Sequence, residues 1–229
     1  MAYQSERGFR DRAHAGRLLA ERFEKYAFCD DVVVFGLPRG GVPVAFEIAE
    51  ALRAPLDIIV VLKLCVARYP ELALGAVASG DAFVLNEELV QRLGISQAAI
   101  ADSVAARQAE IAGRERALRV ERDPLDVRGA TVIVADDGLA TGASMRAAIV
   151  AVREQSPVRI VVGVPVASHE AADIIGGLVD EIVTLICPAS FVSVGNWYQS
   201  FAQVSDVDVR SLLSRAGRLR DRTFGEGIE

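Results

Sequence analysis

The part of this chain best suited to chemistry is residues 131–145, which read TVIVADDGLATGASM. Asp136 and Asp137 follow a β-branched segment typical of a buried parallel strand, and open α/β sheets bind their ligands at this carboxyl end. Carboxylates accept hydrogen bonds from sugar hydroxyls. The small residues at 138–144 leave backbone N–H groups open at a helix N-terminus, which favours anions. The segment therefore predicts a site for a phosphorylated sugar.

A second loop, at residues 36–45 with the sequence GLPRGGVPVA, also joins a predicted strand to a predicted helix. Arg39 offers a guanidinium suited to phosphate oxygens, and Gly40 and Gly41 allow the backbone to approach a ligand closely. Taken alone, the loop is equally compatible with a simple turn. It lacks the G-x-G-x-x-G spacing of dinucleotide-binding loops.

Other phosphate motifs fit residues 131–145 less well. A P-loop needs a lysine directly after its last glycine, whereas Gly142 is followed by Ala143 and Ser144. A response-regulator receiver also carries an acidic pair, but it needs a downstream lysine, and the two lysines of this chain, Lys25 and Lys63, precede the pair. A solvated acidic turn between a strand and a helix is the plain structural alternative.

Composition favours one enzyme-sized domain. The chain has 229 residues, of which 52% are hydrophobic, and this is enough for a substantial core. Its net charge of -6 disfavours a nucleic-acid partner, because backbone binding depends on basic surface. Without a membrane-length apolar segment or a signal peptide, we expect a cytoplasmic protein with no membrane partner. Three scattered cysteines and two histidines argue against a disulfide framework or a zinc site.

The segments that must position the two loops alternate between strand-like and helix-like patterns. This alternation predicts an α/β fold with a doubly wound, mostly parallel five-stranded sheet. Strands are predicted at residues 32–36, 57–62, 131–136, 159–164 and 181–185. Helices are predicted at residues 10–25, 42–52, 142–154, 169–175 and 206–219, with a long, exposed amphipathic helix at 95–121 that Ser96 caps.

Residues 131–145 resemble the 5-phosphoribosyl-1-pyrophosphate (PRPP) binding motif of type I phosphoribosyltransferases, in which an apolar strand, two acids and a T-G loop follow one another. The R-G-G at 39–41 resembles the pyrophosphate loop of the same family. The resemblance implies the family's fold in a single domain over residues 1–229. Its core would span about residues 28–187, and a small hood would come from about residues 1–27 and 188–229.

The resemblance also assigns substrate contacts. It implies that Asp136 and Asp137 bind the ribose hydroxyls, and that Arg39, Gly40 and Gly41 bind the pyrophosphate. The 5′-phosphate would be held by the loop residues Gly138, Leu139, Ala140, Thr141, Gly142, Ala143 and Ser144.

Lys63 follows the apolar residues 58–62, so we expect it at the carboxyl end of the second strand. It is either a snorkelling side chain or, as we prefer, a cation for the pyrophosphate. Residues 64–80 resemble the family's mobile loop, which closes over PRPP and excludes water. We therefore predict Lys63, Glu71 and Asp137 as catalytic residues.

The resemblance is closest to one branch of the family. Its members read roughly L-P-R-G-G-V-P-V-A, then R-K-L-G-x-P-x-x-P-E-x-A-x-G-A-V-A, then D-D-G-x-A-T-G-A-[ST]-M. In this chain, Leu62 stands where the branch usually has Arg, and Cys65 where it has Gly. The resemblance therefore implies that one cation facing the pyrophosphate is missing, which bears on the catalytic rate more than on PRPP binding.

The function implied by the resemblance is Mg²⁺-dependent transfer of the phosphoribosyl group from PRPP to a nitrogenous acceptor, with a nucleobase preferred, in a homodimer. Ala140 occupies the place of an Asp that contacts oxopurines in other members, so the acceptor itself is not identified. Phe191 lies in a predicted hood segment and is the candidate for stacking on a base. The alternative is a regulator that keeps the fold and binds PRPP or a nucleotide without turnover.

Overall fold

The predicted parallel sheet is present in the computed structural model, which describes residues 8–66, 72–80, 82–120 and 122–225. The strands are β1 (Val32–Gly36), β2 (Leu56–Ile58), β3 (Val61–Leu64), β4 (Gly75–Ala78), β5 (Phe83–Leu85), β6 (Thr131–Ala135), β7 (Arg159–Val166) and β8 (Glu181–Ile186). The α-helices are α1 (Arg12–Ala20), α2 (Gly41–Leu52), α3 (Glu87–Leu93), α4 (Gln97–Arg119), α5 (Ala143–Glu154), α6 (His169–Gly176) and α7 (Asp206–Gly225).

Five parallel strands form the main sheet, in the order β2-β1-β6-β7-β8. All residues of β1 and β6 are buried, which explains why both strands read as continuous apolar segments rather than as alternating ones. The connection after β1 leads to one edge of the sheet, and the connection after β6 leads to the other. The strand order therefore reverses between β1 and β6, and open α/β folds bind ligands at the carboxyl ends of strands at such a point.

The second predicted strand, residues 57–62, is wrong in its extent. β2 ends at Ile58, and the chain then crosses into a separate antiparallel sheet with the order β3-β4-β5. Val60 marks the crossing, because its N–H donates to Ser79 Oγ at 2.9 Å and its carbonyl accepts from Ser79 N–H at 2.9 Å. Ile58, Ile59 and Val60 are all buried, so one apolar segment serves both sheets and no change of pattern marks the boundary.

The helices largely follow the predictions. Ser96 caps α4 as expected, by accepting from Ala99 N–H at 3.2 Å. The helix is amphipathic as predicted, because Val104, Ile111 and Leu118 form a buried stripe at seven-residue spacing. The sequence did not indicate α3 or the antiparallel sheet, whose strands have only three or four residues each.

The two terminal segments meet over the carboxyl ends of the strands. Phe9 forms a parallel β-bridge with Tyr198, and their rings lie 5.4 Å apart. A 3-10 helix at Val194–Trp197 precedes Tyr198. Within the described ranges, no helix is both long and apolar enough to cross a membrane.

Candidate active site

The two sequence loops lie side by side because β1 and β6 are parallel neighbours in register. Gly36, the last residue of β1, pairs with Ala135, the last residue of β6. Leu37 N–H then donates to the Ala135 carbonyl at 3.1 Å. The loop that contains Arg39 and the loop that begins with Asp136 therefore start from the same edge of the sheet.

The glycines of the first loop are in direct contact with the acidic pair. A Cβ atom on Gly40 would lie 2.2 Å from Asp137 Oδ2, and one on Gly41 would lie 2.8 Å from Asp136 Cα. Any side chain at these positions would displace the aspartates. The peptide between Pro38 and Arg39 is cis. The structure thus brings the predicted pyrophosphate loop and the predicted ribose ligands together.

The acidic pair is partly buried and electrostatically costly. Asp136 Oδ1 accepts a hydrogen bond from Asp137 N–H at 2.8 Å. Burial, and then the neighbouring Asp137 charge, raise the pKa of Asp136 well above its usual value. Burial also raises the pKa of Asp137, although the ion pair with Arg12 opposes that shift. Two carboxylates held this close are typical of a functional site.

Arg12 from α1 is a site residue that the sequence analysis missed. Its Nε donates to Asp137 Oδ2 at 2.7 Å, and its Nη1 donates to the Ala202 carbonyl at 2.8 Å. The guanidinium carbon lies 3.7 Å from the centre of the Phe201 ring. Arg12 and Asp137 are 125 residues apart in the chain, so no local spacing could have paired them.

Tyr198 also contacts the acidic pair, and the sequence motifs did not predict this contact. Its hydroxyl donates to the backbone carbonyl of Asp137 at 2.6 Å. Burial and the Asp137 charge raise the pKa of Tyr198, so the hydroxyl remains protonated and keeps donating. Tyr198 and Arg12 together connect the segments near both termini to the acidic pair.

The backbone of the predicted phosphate loop is held by hydrogen bonds to the end of β7 and to the residue before α6, while several of its side chains are exposed to solvent. Leu139 is buried, and its N–H donates to the Val166 carbonyl at 2.9 Å. Ser168 Oγ donates to the Ala140 carbonyl at 2.8 Å. Thr141, Ala143 and Ser144 remain exposed. The backbone of the loop is therefore positioned without help from a ligand.

Helix starts at the site differ from other helix starts in the fold. Side chains cap α1, α3, α4 and α6, through Asp11, Asn86, Ser96 and Ser168. In contrast, α2 and α5 begin after Gly40 and Gly142, and neither start has a side-chain cap. Gly142 has a φ of +72°, a conformation that favours glycine. Both uncapped helix starts face the edge that holds the acidic pair. At α2, Gly41 N–H donates to the Leu37 carbonyl at 2.9 Å and Val42 N–H donates to the Arg39 carbonyl at 3.3 Å, so these groups are already used within the loop. The start of α5 is the one whose N–H groups suit an anion.

Lys63 does not lie at the carboxyl end of a parallel strand, so that prediction is wrong. It lies within β3, where it pairs with Ala76 of β4, and its side chain is exposed. The physical reason is the crossing at Val60, which moves the end of the apolar segment from the parallel sheet to the antiparallel one. Glu71, the second predicted catalytic residue, lies outside the described residues.

Arg39 and Phe191 have less direct relations to the acidic pair. The Arg39 side chain is 46% exposed, and its Nη1 lies 3.8 Å from Asp206 Oδ1 at the start of α7. Phe191 is half-buried and packs against the cluster that contains Phe9 and Tyr198. Among the described residues, no group of three or more His, Cys, Asp or Glu side chains could hold a metal ion.

Comparison with known proteins gives the following matches. A family model described as a phosphoribosyl transferase domain matches residues 67–191. Two curated proteins of Mycobacterium tuberculosis, from strains CDC 1551 and H37Rv, are each named "putative phosphoribosyl transferase" and are 42% identical to this chain over 211 residues. This alignment covers 92% of the chain but 47% of each relative, so the chain spans about half the length of these relatives.

A solved structure is also similar over most of the chain. The crystal structure of the protein TT1426 from Thermus thermophilus has 40% sequence identity and a TM-score of 0.78. The match covers 91% of this chain and 98% of that chain. The structural likeness therefore extends beyond the segment that the family model matches.

Proposed function

The chain belongs to the phosphoribosyl transferase family, and from this premise we propose that it transfers the 5-phosphoribosyl group of PRPP to a nitrogenous acceptor and releases pyrophosphate. The observation that carries the proposal is the meeting of two uncapped helix starts with the acidic pair at one edge of the sheet. This edge offers the N–H groups at the start of α5 for one phosphate group, the Arg39 guanidinium of the first loop for a second, and carboxylates beside both loops for a sugar.

Each part of PRPP has a matching surface in this proposal. The 5′-phosphate binds the loop from Gly138 to Ser144, whose backbone is already held by Ser168 and Val166. The ribose hydroxyls donate to Asp136 and Asp137. The pyrophosphate binds the loop of Arg39, Gly40 and Gly41, which contacts the same carboxylates. The substrate thus lies across the boundary between β1 and β6.

The chemistry follows from this placement. The bond between ribose C1 and the pyrophosphate oxygen breaks, with its electron pair leaving on the pyrophosphate, and a bond forms between C1 and the acceptor nitrogen. The ribose ring gains positive charge in between, and the nearby carboxylates stabilise that charge. Correct positioning of both substrates supplies on the order of 7 to 11 kcal/mol.

We also propose that Mg²⁺ accompanies PRPP, bound mainly through pyrophosphate and ribose oxygens with water completing its shell. The carboxylates of Asp136 and Asp137 fit a hydrated cation of this kind, because Mg²⁺ prefers oxygen ligands and keeps several waters. When bound, the cation neutralises charge on the departing pyrophosphate. The protein residues position the ribose and the loops around it.

For the acceptor we propose a nucleobase. Phe191 supports this class, since it is a half-buried aromatic ring that follows β8 at the same edge of the sheet. The exposed Ala140 carries no charge, so the phosphate loop offers no carboxylate to an oxopurine. A second candidate function is a regulator that binds PRPP without turnover, and the observation that favours it is Leu62 at the position where the branch that this chain resembles usually has Arg.

A titration with Mg-PRPP tests the site directly. We expect saturable binding by the native protein and loss of binding in the double variant Asp136→Ala with Asp137→Ala. Asp102→Ala, at an exposed acid on α4, is the matched control and should bind as the native protein does. Retained binding in the double variant would contradict the assignment of the acidic pair.

Pyrophosphate release separates the two functions. The protein is incubated with Mg-PRPP and a panel of nucleobases, nucleosides and amines, and released pyrophosphate is measured. Release that depends on one acceptor supports the transferase. Binding of PRPP without release across the panel would support the regulator instead.

A further inference from the structure

The guanidinium of Arg12 is held in a fixed position at the edge of the candidate site. The side chain is 11% exposed, although it carries a full charge. Phe201 covers one face of the guanidinium at 3.7 Å, and Nε and Nη1 are anchored by Asp137 and the Ala202 carbonyl. This group is therefore oriented before any ligand arrives, which lowers the entropic cost of a further contact.

The hydrogen bonds of Arg12 leave part of the guanidinium unused. An arginine side chain carries five N–H donors, and the two bonds to Asp137 and Ala202 use two of them. Within the described ranges, Nη2 has no hydrogen-bond partner, and no buried side-chain nitrogen is left unsatisfied. Nη2 is therefore not fully enclosed in the protein.

The position of Arg12 relates it to the first loop as well as to the acidic pair. A Cβ atom on Gly40 would lie 3.4 Å from Arg12 Nε and 2.2 Å from Asp137 Oδ2. The guanidinium thus lies directly beside the loop to which we assign the pyrophosphate. A guanidinium with free N–H groups is well suited to phosphate oxygens.

The other cations near the site are less well placed. Arg39 is 46% exposed and lies close to Asp206, and Lys63 is exposed on the antiparallel sheet. Leu62, next to Lys63 in β3, carries no charge. Of Arg12, Arg39 and Lys63, Arg12 is therefore the cation that lies beside the first loop and also pairs with Asp137, the residue to which we assign the ribose.

We propose that Arg12 binds the pyrophosphate group of PRPP with the free edge of its guanidinium, while its Nε holds Asp137 in place for the ribose. This inference rests on the proposed function. It adds a pyrophosphate contact from α1, which the sequence motifs do not contain.

Three probes can separate a pyrophosphate contact from an indirect effect through Asp137. Affinities for Mg-PRPP, Mg-pyrophosphate and ribose 5-phosphate are measured by calorimetry for the native protein, Arg12→Gln and Arg12→Lys. Loss of a charge-assisted hydrogen bond to phosphate should weaken PRPP and pyrophosphate by about 10- to 100-fold in Arg12→Gln. Ribose 5-phosphate lacks the pyrophosphate, so its affinity should fall only through the weaker hold on Asp137, by less than about threefold.

The conservative variant and a control on the same helix complete the experiment. Arg12→Lys keeps the charge but not the fork, so it should restore part of the pyrophosphate affinity. Arg17→Gln removes another arginine of α1, whose partner is Glu47 at 3.0 Å, and should leave all three affinities unchanged. If Arg12→Gln does not fold, unchanged pyrophosphate affinity in Arg12→Lys would by itself overturn the inference.

The remaining outcomes are distinct. An equal loss for ribose 5-phosphate and PRPP would show that Arg12 acts only through Asp137 and would overturn the inference. Unchanged affinities would overturn it as well, while leaving the proposed function intact. If the native protein binds none of the three probes, the proposed function fails, and the inference fails with it.

Discussion

Asp57 and Asp137 are two aspartates that each pair with the Nε of a distant arginine, at 2.8 Å to Arg119 and 2.7 Å to Arg12. Asp57 lies in β2, and Asp137 follows β6. Their side chains are 5% and 15% exposed, so the two pairs have similar surroundings. Charge, distance and burial alone do not tell them apart.

The number of hydrogen bonds that each carboxylate accepts does distinguish them. Asp57 Oδ1 accepts from Arg119 and from Ile58 N–H, and Oδ2 accepts from Leu125 N–H at 3.2 Å. Both oxygens are therefore occupied. Asp137 Oδ2 accepts from Arg12, whereas no described residue donates to Asp137 Oδ1. A carboxylate with both oxygens occupied anchors structure, whereas one with a free oxygen can bind a ligand.

Replacing each aspartate by asparagine tests this distinction with the same chemical change, and gives the largest effect that we expect. In Asp57→Asn the new NH₂ group must face an N–H donor whichever way the amide turns. A buried network broken in this way should lower the free energy of unfolding by about 3 kcal/mol. In Asp137→Asn the amide oxygen can still accept from Arg12, so the loss should be under about 1 kcal/mol. Urea denaturation measures both values.

Ligand binding should follow the opposite order. Mg-PRPP affinity should be unchanged in folded Asp57→Asn, and should fall by about 10-fold or more in Asp137→Asn, as expected for one lost charge-assisted hydrogen bond. If Asp57→Asn weakened PRPP more than Asp137→Asn did, the two aspartates would have to exchange roles.

Asp136 provides the second test, because its charge is costly rather than stabilising. Burial and Asp137 raise the pKa of Asp136 in the folded protein, so the folded state binds a proton more tightly than the unfolded chain does. The contribution of Asp136 to stability must therefore fall as pH rises from the ordinary aspartate pKa, about 3.9, through the raised value. Asp136→Asn lacks this dependence.

The measurement compares the unfolding free energies of Asp136→Asn and the native protein at several pH values from 5 to 8. The variant should become the more stable of the two, by a margin that grows with pH. Asp137→Asn is a useful companion, since removing the neighbouring charge should reduce the same dependence. A margin that shrinks with rising pH would mean that the ionised Asp136 stabilises the fold.

The sequence predicted the parallel sheet well, because each strand is a short buried β-branched segment bounded by loops. Residues 32–36 were predicted with the observed ends, and the fold class is confirmed. The prediction of the second strand failed because Ile59 and Val60, which lie between the two sheets, are both buried, so the apolar pattern does not change where the chain leaves β2. Strands of three or four residues, such as β4 and β5, carry too little periodicity to be recognised.

In the candidate site, the residues that lie close together in the sequence could be predicted, and those that meet only in the fold could not. Both loops could be predicted because each joins one strand to the next helix within a few residues. Arg12 and Tyr198 could not, because they reach Asp137 from 125 and 61 residues away in the chain. Lys63 was misplaced together with its strand. Local motifs therefore identified what a ligand would touch first, but not what holds those residues in place.

Glu115 gives the smallest expected effect and the sharpest test of the comparison. Glu115 Oε1 lies 3.0 Å from Arg119 Nη1, so Arg119 has a second acidic partner one turn earlier on α4. Glu115→Gln keeps an acceptor, and Arg119 keeps Asp57 and the Ile58 carbonyl, so the loss of unfolding free energy should be about 0.5 kcal/mol. A loss as large as that of Asp57→Asn would place the anchoring energy in the Glu115 pair. Hydrogen bonds to both oxygens of Asp57 would then no longer explain why it is structural and Asp137 is not.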